Sequence, residues 1–246
     1  MSRQDVDFTI DAYVELLSAA AARYRFLSFS ESSVEGEVAL WRHDIDFSPQ
    51  RALALSRLEA ARGLYATYFV QLSSRYYNIF EPEISVILRQ IVALGHHIGL
   101  HFDAEFYAHE IAPDYDRRIA FEAMVLEEVV ETKVATFSLH NPTTLVGVSL
   151  NEPSRGGLVN ASCSDLRAAY TYCSDSNGLW RSRSLAETIS DPTVRRLYVL
   201  THPEWWQKDP MPPRQRIQRC IEGRAGFCSH YYDTLLEKHN RPNIGD

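Results

Sequence analysis

Short apolar runs alternate with longer stretches of helical spacing along most of this chain. Val38-Ala39-Leu40-Trp41, Ala66-Thr67-Tyr68-Phe69-Val70, Ile98-Gly99-Leu100, Val134-Ala135-Thr136-Phe137 and Arg196-Leu197-Tyr198-Val199-Leu200 are rich in β-branched and aromatic residues and read as buried strands. Residues 9–24 have the pattern of a helix, with Thr9 as N-cap. Ser48-Pro49 supplies a cap followed by proline at the first helical position, and the helix it opens runs to about Arg62, where Gly63 stops it. Ile84, Val86, Ile87, Ile91 and Val92 mark a helix over 83–94 that ends at Gly95, and a further helix is expected over 117–133. Met211 to Lys238 is mostly helical after Pro212-Pro213, with a break expected at Gly223 and Gly226. The Ser-, Asn- and Gly-rich stretch 143–165 reads as a long loop over the site, and 241–246 as a frayed tail. Strands alternating with helices of about a dozen residues imply an α/β fold of parallel strands joined by crossovers.

Bulk properties narrow this reading without changing it. The 246 residues suit one domain spanning 1–246, since α/β barrels of this length often stay undivided. A hydrophobic content of 45% and a charged content of 23% are ordinary for a globular chain. The net charge is −7 with scattered Lys and Arg, so no basic stripe points to nucleic acid. No run approaches the length of a membrane span. The polar, acidic start Met1 to Asp7 lacks an apolar core behind it, and so reads as no export signal. Cys163, Cys173, Cys220 and Cys228 form no CxxC pair, and reduced thiols in a cytoplasmic protein are expected.

The chemistry gathers where the predicted strands end. Arg42-His43-Asp44-Ile45-Asp46 follows the first; Gly95 to Asp103 surrounds another; Ser138-Leu139-His140-Asn141-Pro142 and Thr201-His202-Pro203-Glu204-Trp205-Trp206 follow two more. Asp44 and Asp46, at i and i+2, share a strand face with α-carbons about 6.6 Å apart. Two carboxylates there repel unless a cation or a shared proton intervenes, so one metal ligand and one general base is the functional reading; a solvated acidic pair capping the next helix is the bland one. His97 and His101 lie four apart, but along a strand that is about 13 Å. Ligand atoms on one zinc lie about 3 Å apart, so the two cannot share an ion. His101 is the better ligand; His96 and His97 read as structural. Prolines just after His140 and His202 fix where their strands stop. Trp205 and Trp206 could line a sugar cleft or fill the core.

These motifs resemble those of the polysaccharide deacetylase family, carbohydrate esterase family four. The resemblance runs from about residue 38 to 206 and implies a distorted (β/α) barrel of about seven parallel strands holding one divalent metal ion. In that pattern Asp44 matches the catalytic base and Asp46 a metal ligand. Gly95 to His101 matches the Gly-His-Glu-Ile-Gly-x-His segment, with His97 at the glutamate position and His101 as a metal histidine. The second metal histidine of the family would stand at position 105, which is Glu105 here. His140, where the family carries an arginine before proline near the catalytic aspartate, is the favoured third ligand; Asp103 and Glu105 are the alternatives. Asp175, Trp180 and Arg181 resemble a motif lining the substrate groove, Trp205 is a further candidate wall, and His202 matches the general acid.

The resemblance thus implies a metal-dependent hydrolase that removes an N-acetyl group from a sugar. Zinc suits mixed nitrogen and oxygen ligands, with nickel and cobalt as alternatives. The expected partner is an N-acetylated saccharide, with a nucleotide- or lipid-linked precursor of a surface polysaccharide favoured by the lack of an export signal. A hydrolase of non-sugar amides or formamides on the same fold is one rival. An inactive glycan-binding barrel, suggested by Glu105, is the other.

Overall fold

The computed structural model describes residues 8–141 and 150–245. Its centre is a parallel sheet built from β1 (Arg25–Leu27), β2 (Val38–Ile45), β3 (Thr67–Val70), β4 (His97–Phe102), β5 (Thr136–Leu139), β7 (Leu158–Asn160), β8 (Thr171–Ser174) and β9 (Arg196–Thr201). Seven of these run side by side in the order β7-β5-β4-β3-β2-β9-β8. The short β1 shares an edge of β2 with β3: it pairs Leu27 with Leu40, and β3 takes over from Arg42. The two-residue β6 (Ser154–Arg155) pairs antiparallel with β7.

The sheet curls. Tyr198 on β9 donates its hydroxyl to the carbonyl of Ala161, just past β7, at 2.7 Å. Those strands are five ladders apart, about 24 Å along a flat sheet, so only a barrel-like curve brings them together. Among the described residues no ladder joins β7 to β8, and the barrel is open there. Leu40, Phe69, Ala161 and Tyr198 pack together in the interior, apart from the larger outer cluster. Gly99 on β4 makes room for this packing: a Cβ there would lie 2.6 Å from the Phe69 ring.

Helices α1 (Ile10–Ala21), α2 (Pro49–Ala60), α3 (Pro82–Ala93), α4 (Tyr115–Val130), α5 (Ser164–Ala169), α6 (Leu185–Ser190) and α7 (Pro213–Lys238) complete the fold, with the main apolar cluster between the sheet and its helices. Thr9 and Ser48 cap α1 and α2 as expected, and Gly63 and Gly95 adopt the left-handed conformation beyond α2 and α3.

Three elements differ from expectation. Strand β2 continues through Arg42-His43-Asp44-Ile45 instead of stopping at Trp41, because each polar side chain on it has a buried partner. Helix α7 runs unbroken through Gly223 and Gly226, since an exposed glycine costs only about 1 kcal/mol inside a long helix. Within the expected loop 143–165, the described part carries β6, β7 and the start of α5, while 142–149 lies outside the described residues. All four cysteines are unpaired, and no helix among the described residues is long and apolar enough to cross a membrane.

Candidate active site

Period-two alternation along β2 sorts its polar residues onto two faces. Trp41 and His43 point outward: the Trp41 indole donates to the Tyr13 hydroxyl at 3.0 Å, and His43 Nε2 lies 2.7 Å from Glu59. Arg42, Asp44 and Asp46 line the cavity at the carboxyl end of the barrel, which has a volume of about 1270 Å³.

Arg42 grips Asp44 with both arms, Nε to Oδ1 and Nη2 to Oδ2, each at 2.7 Å. Its third contact is the Tyr198 hydroxyl at 2.9 Å, and the Phe69 ring lies 5.0 Å beneath the guanidinium. Burial opposes ionisation of Asp44, but the Arg42 charge overrides it and holds the carboxyl below the ordinary aspartate range.

Two further strand ends bring imidazoles to Asp46. His101, from β4, sets Nε2 3.3 Å from Asp46 Oδ1; His140, after β5, sets Nδ1 3.7 Å from the same oxygen. The two imidazole nitrogens are 3.2 Å apart. Ligand atoms of Asp46, His101 and His140 all lie within 4.8 Å of one another. Asp46 Oδ1 is buried and accepts no hydrogen bond, so a lone pair points into the space between the rings. One carboxylate oxygen and two imidazole nitrogens converging on a common point fit a divalent cation. Ser138 Oγ, 2.7 Å from His101 Nδ1, fixes that ring so that Nε2 faces Asp46.

His202, after β9, completes the cluster, its Nε2 3.8 Å from Asp46 Oδ2. Asp175 orients it, accepting from His202 Nδ1 at 2.6 Å and from the His202 backbone amide at 3.0 Å. The Thr201 hydroxyl also donates to Asp175 and accepts from the Trp206 indole at 2.6 Å. Burial would lower the His202 pKa, but the Asp175 carboxylate and its hydrogen bond outweigh that and raise it well above the ordinary imidazole value.

The remaining candidates separate by burial. Asp175 is fully buried beneath His202 and does not line the cavity, so it supports a histidine where a groove contact was expected. Trp180 stacks on Phe8 at 5.1 Å and is likewise absent from the cavity wall. Trp205 and Arg181 do line it, whereas Trp206 is core. Asp103 and Glu105 sit on the cavity wall outside the three-residue cluster. His96 is buried as a structural residue, accepting from the Ala66 amide at 3.1 Å, and His97 packs against Tyr65.

Sequence reasoning missed two supports. Arg42 carried a signal, being two residues before Asp44 and so on the same strand face. Ser138 had the same relation to His140, but its approach to His101 depends on the pairing of β4 with β5.

No protein-family model matches the chain, and no curated protein matches it in sequence. By structure it is similar to a polysaccharide deacetylase of Bacillus cereus, at 15% identity over 77% of this chain and 89% of that one, with a TM-score of 0.47. It is also similar to a family 4 carbohydrate esterase of Streptomyces lividans (16% identity, 79% and 90% covered, TM-score 0.44). A family 4 pseudoenzyme of Bacillus anthracis matches too, at 11% identity over 76% and 61% with a TM-score of 0.42. Identities this low transfer no residue role, so function has to be argued from the side chains.

Proposed function

We propose that the chain is a metal-dependent hydrolase that removes an N-acetyl group from a sugar. One observation carries the reading: a carboxylate paired with arginine, a three-residue metal-fitting cluster and a histidine backed by a buried aspartate all open on one cavity.

Asp46, His101 and His140 would hold the ion. When bound, a divalent cation supplies Lewis acidity, polarising the amide carbonyl and bringing the pKa of water toward neutrality. Asp44 is the general base. Its pairing with Arg42 keeps it ionised while buried, and His101 Nε2 lies 3.6 Å from its Oδ2, so it faces the same space as the cluster. His202 is the general acid. Asp175 holds its Nδ1 proton, turns Nε2 toward the cavity and favours the imidazolium that must give a proton to the departing amine. Trp205, with its ring 6.4 Å from His202, supplies an apolar wall for a sugar on the leaving-group side.

The test is acetate release from a panel of N-acetylated sugars and small amides by protein loaded with zinc, nickel or cobalt. Wild type should release acetate and Asp44→Asn should lose at least about a hundred-fold. Equal inertness of both proteins across the panel sinks the reading. If wild-type protein purified without chelator carries no stoichiometric metal, a glycan-binding barrel is the better description. Activity on formamides alone would move the substrate away from sugars.

A further inference from the structure

Charged side chains of both signs line the cavity outside the cluster. Asp103 and Glu105 come from the end of β4, with Arg75 after β3 beside them. Two further arginines, Arg167 and Arg181, flank β8, four ladders from β4, with no carboxylate of the wall beside them. Arg167 projects from α5, and its guanidinium lies over the Tyr172 ring at 5.1 Å. The backbone amide of Arg181 bonds to the Ser174 carbonyl at 3.4 Å, which ties it to the same strand.

Neither guanidinium makes a hydrogen bond or an ion pair among the described residues, and Arg167 Nε is buried without an acceptor. Arg181 is exposed and Arg167 half-buried; three half-buried arginines elsewhere are paired, Arg118 with Glu110, Arg155 with Asp116 and Arg224 with Glu81. A buried N–H lacking an acceptor is costly, and a stacked, pre-oriented guanidinium is the group best suited to bind planar or tetrahedral oxyanions.

Direction adds to this. His202 lies at the end of β9, next to β8 in the sheet, so a sugar whose amine faces His202 reaches toward Arg167 and Arg181. We infer that the substrate carries an anionic group, a carboxylate or a phosphate on the sugar, which Arg167 and Arg181 bind on the leaving-amine side of the cavity. The inference rests on the deacetylase reading for its orientation, but the binding it claims can be measured without turnover.

The experiment uses the metal-loaded full chain and three probes: N-acetylglucosamine, its C6 carboxylate and its 1-phosphate. Affinities by titration calorimetry and acetate release are recorded for wild type, Arg167→Gln and Arg181→Gln. Both side chains lack structural hydrogen bonds, so the variants should fold as wild type, which circular dichroism checks. At least one anionic probe should bind about ten-fold or more tighter than the neutral sugar. That advantage should shrink with added salt and fall about ten-fold in each variant. The two anionic arms tell carboxylate from phosphate. Binding of all three probes within two-fold overturns the inference. So does an anion preference that survives both substitutions, because the anion would then be seated on the cation or on Arg75. Preferential binding without acetate release upholds this inference and sinks the deacetylase reading; acetate release without preference does the reverse.

Discussion

Replacing Arg42 with methionine keeps most of the side-chain volume and removes one charge from inside the barrel. The side chains of Arg42 and Asp44 are only 2% and 4% exposed, and two 2.7 Å bonds join them. In Arg42→Met, Asp44 stays buried without the charge bonded to it, and breaking such a pair from one side costs about 3–5 kcal/mol. The Tyr198 hydroxyl loses a donor but keeps the Ala161 carbonyl, so the loss is mainly electrostatic.

The stability cost is limited by protonation: once the Asp44 pKa rises far enough, the carboxyl takes a proton and stops acting as a base. Wild-type Asp44 has its pKa lowered by Arg42 against the pull of burial, so its ionised form survives into acid. In Arg42→Met the acid limb of the rate profile should therefore move to higher pH. Urea unfolding of chelator-treated protein reads the stability term, and a cycle with Asp44→Asn isolates the pair. The double variant, which buries no charge here, should be more stable than the sum of the single losses by at least about 2 kcal/mol. Additive losses, together with an unmoved acid limb, would refute the view that Arg42 keeps the base ionised.

Three further outcomes follow from the same structure. Asp175→Asn should lower activity about a hundred-fold or more and bring the alkaline limb to lower pH, because His202 loses the carboxylate that raises its pKa; metal content should be unchanged by elemental analysis. Glu59→Ala should cost about 3–5 kcal/mol in urea unfolding, since Glu59 is the buried acceptor shared by Tyr13, Tyr68 and His43 behind β2. Glu122 is pushed up to about 7 by burial despite the Tyr107 hydroxyl it accepts at 2.6 Å. Its stabilising protonated form is complete below about 4.5 and is lost as pH rises through about 7, so Glu122→Gln should remove up to about 3 kcal/mol of decline between pH 4.5 and 8, read from unfolding midpoints.

The legible and illegible parts of the site divide along a physical line. Strand-and-helix alternation predicted the parallel sheet because period and capping are local properties. The rejection of His97 as a partner for His101 needed only the rise of a strand, and β4 spans both residues. What stayed hidden depends on which strands are neighbours. Asp175 reaches His202 only because β8 lies beside β9, and Ser138 reaches His101 only because β5 lies beside β4. The placement of Trp180 off the cavity wall was hidden likewise, since its stacking partner Phe8 precedes the first helix. Polar residues within β2 look like a strand end in sequence, but their alternation marks two buried polar layers, one inside the barrel and one beneath α2.

Beside His97 at the glutamate position, two departures from the deacetylase pattern, His140 and Glu105, form one exchange in the proposed site. In the motif that the chain resembles, an arginine stands near the catalytic aspartate, at the position of His140, and a second metal histidine stands at the position of Glu105. Here the guanidinium beside Asp44 comes from Arg42 on the same strand. With that charge supplied from β2, the end of β5 is free to carry an imidazole, and His140 Nδ1 lies 3.2 Å from His101 Nε2, facing Asp46. In the proposed site position 105 has no ligand duty, and Glu105 lies on the cavity wall. Either change alone would damage a hydrolytic site: without Arg42 the base is a buried carboxylate lacking its bonded counter-charge, and without His140 the cluster has two members. In the proposed site the two together keep the same set of groups, a paired base, three ligands and a backed acid, on a different distribution of strands.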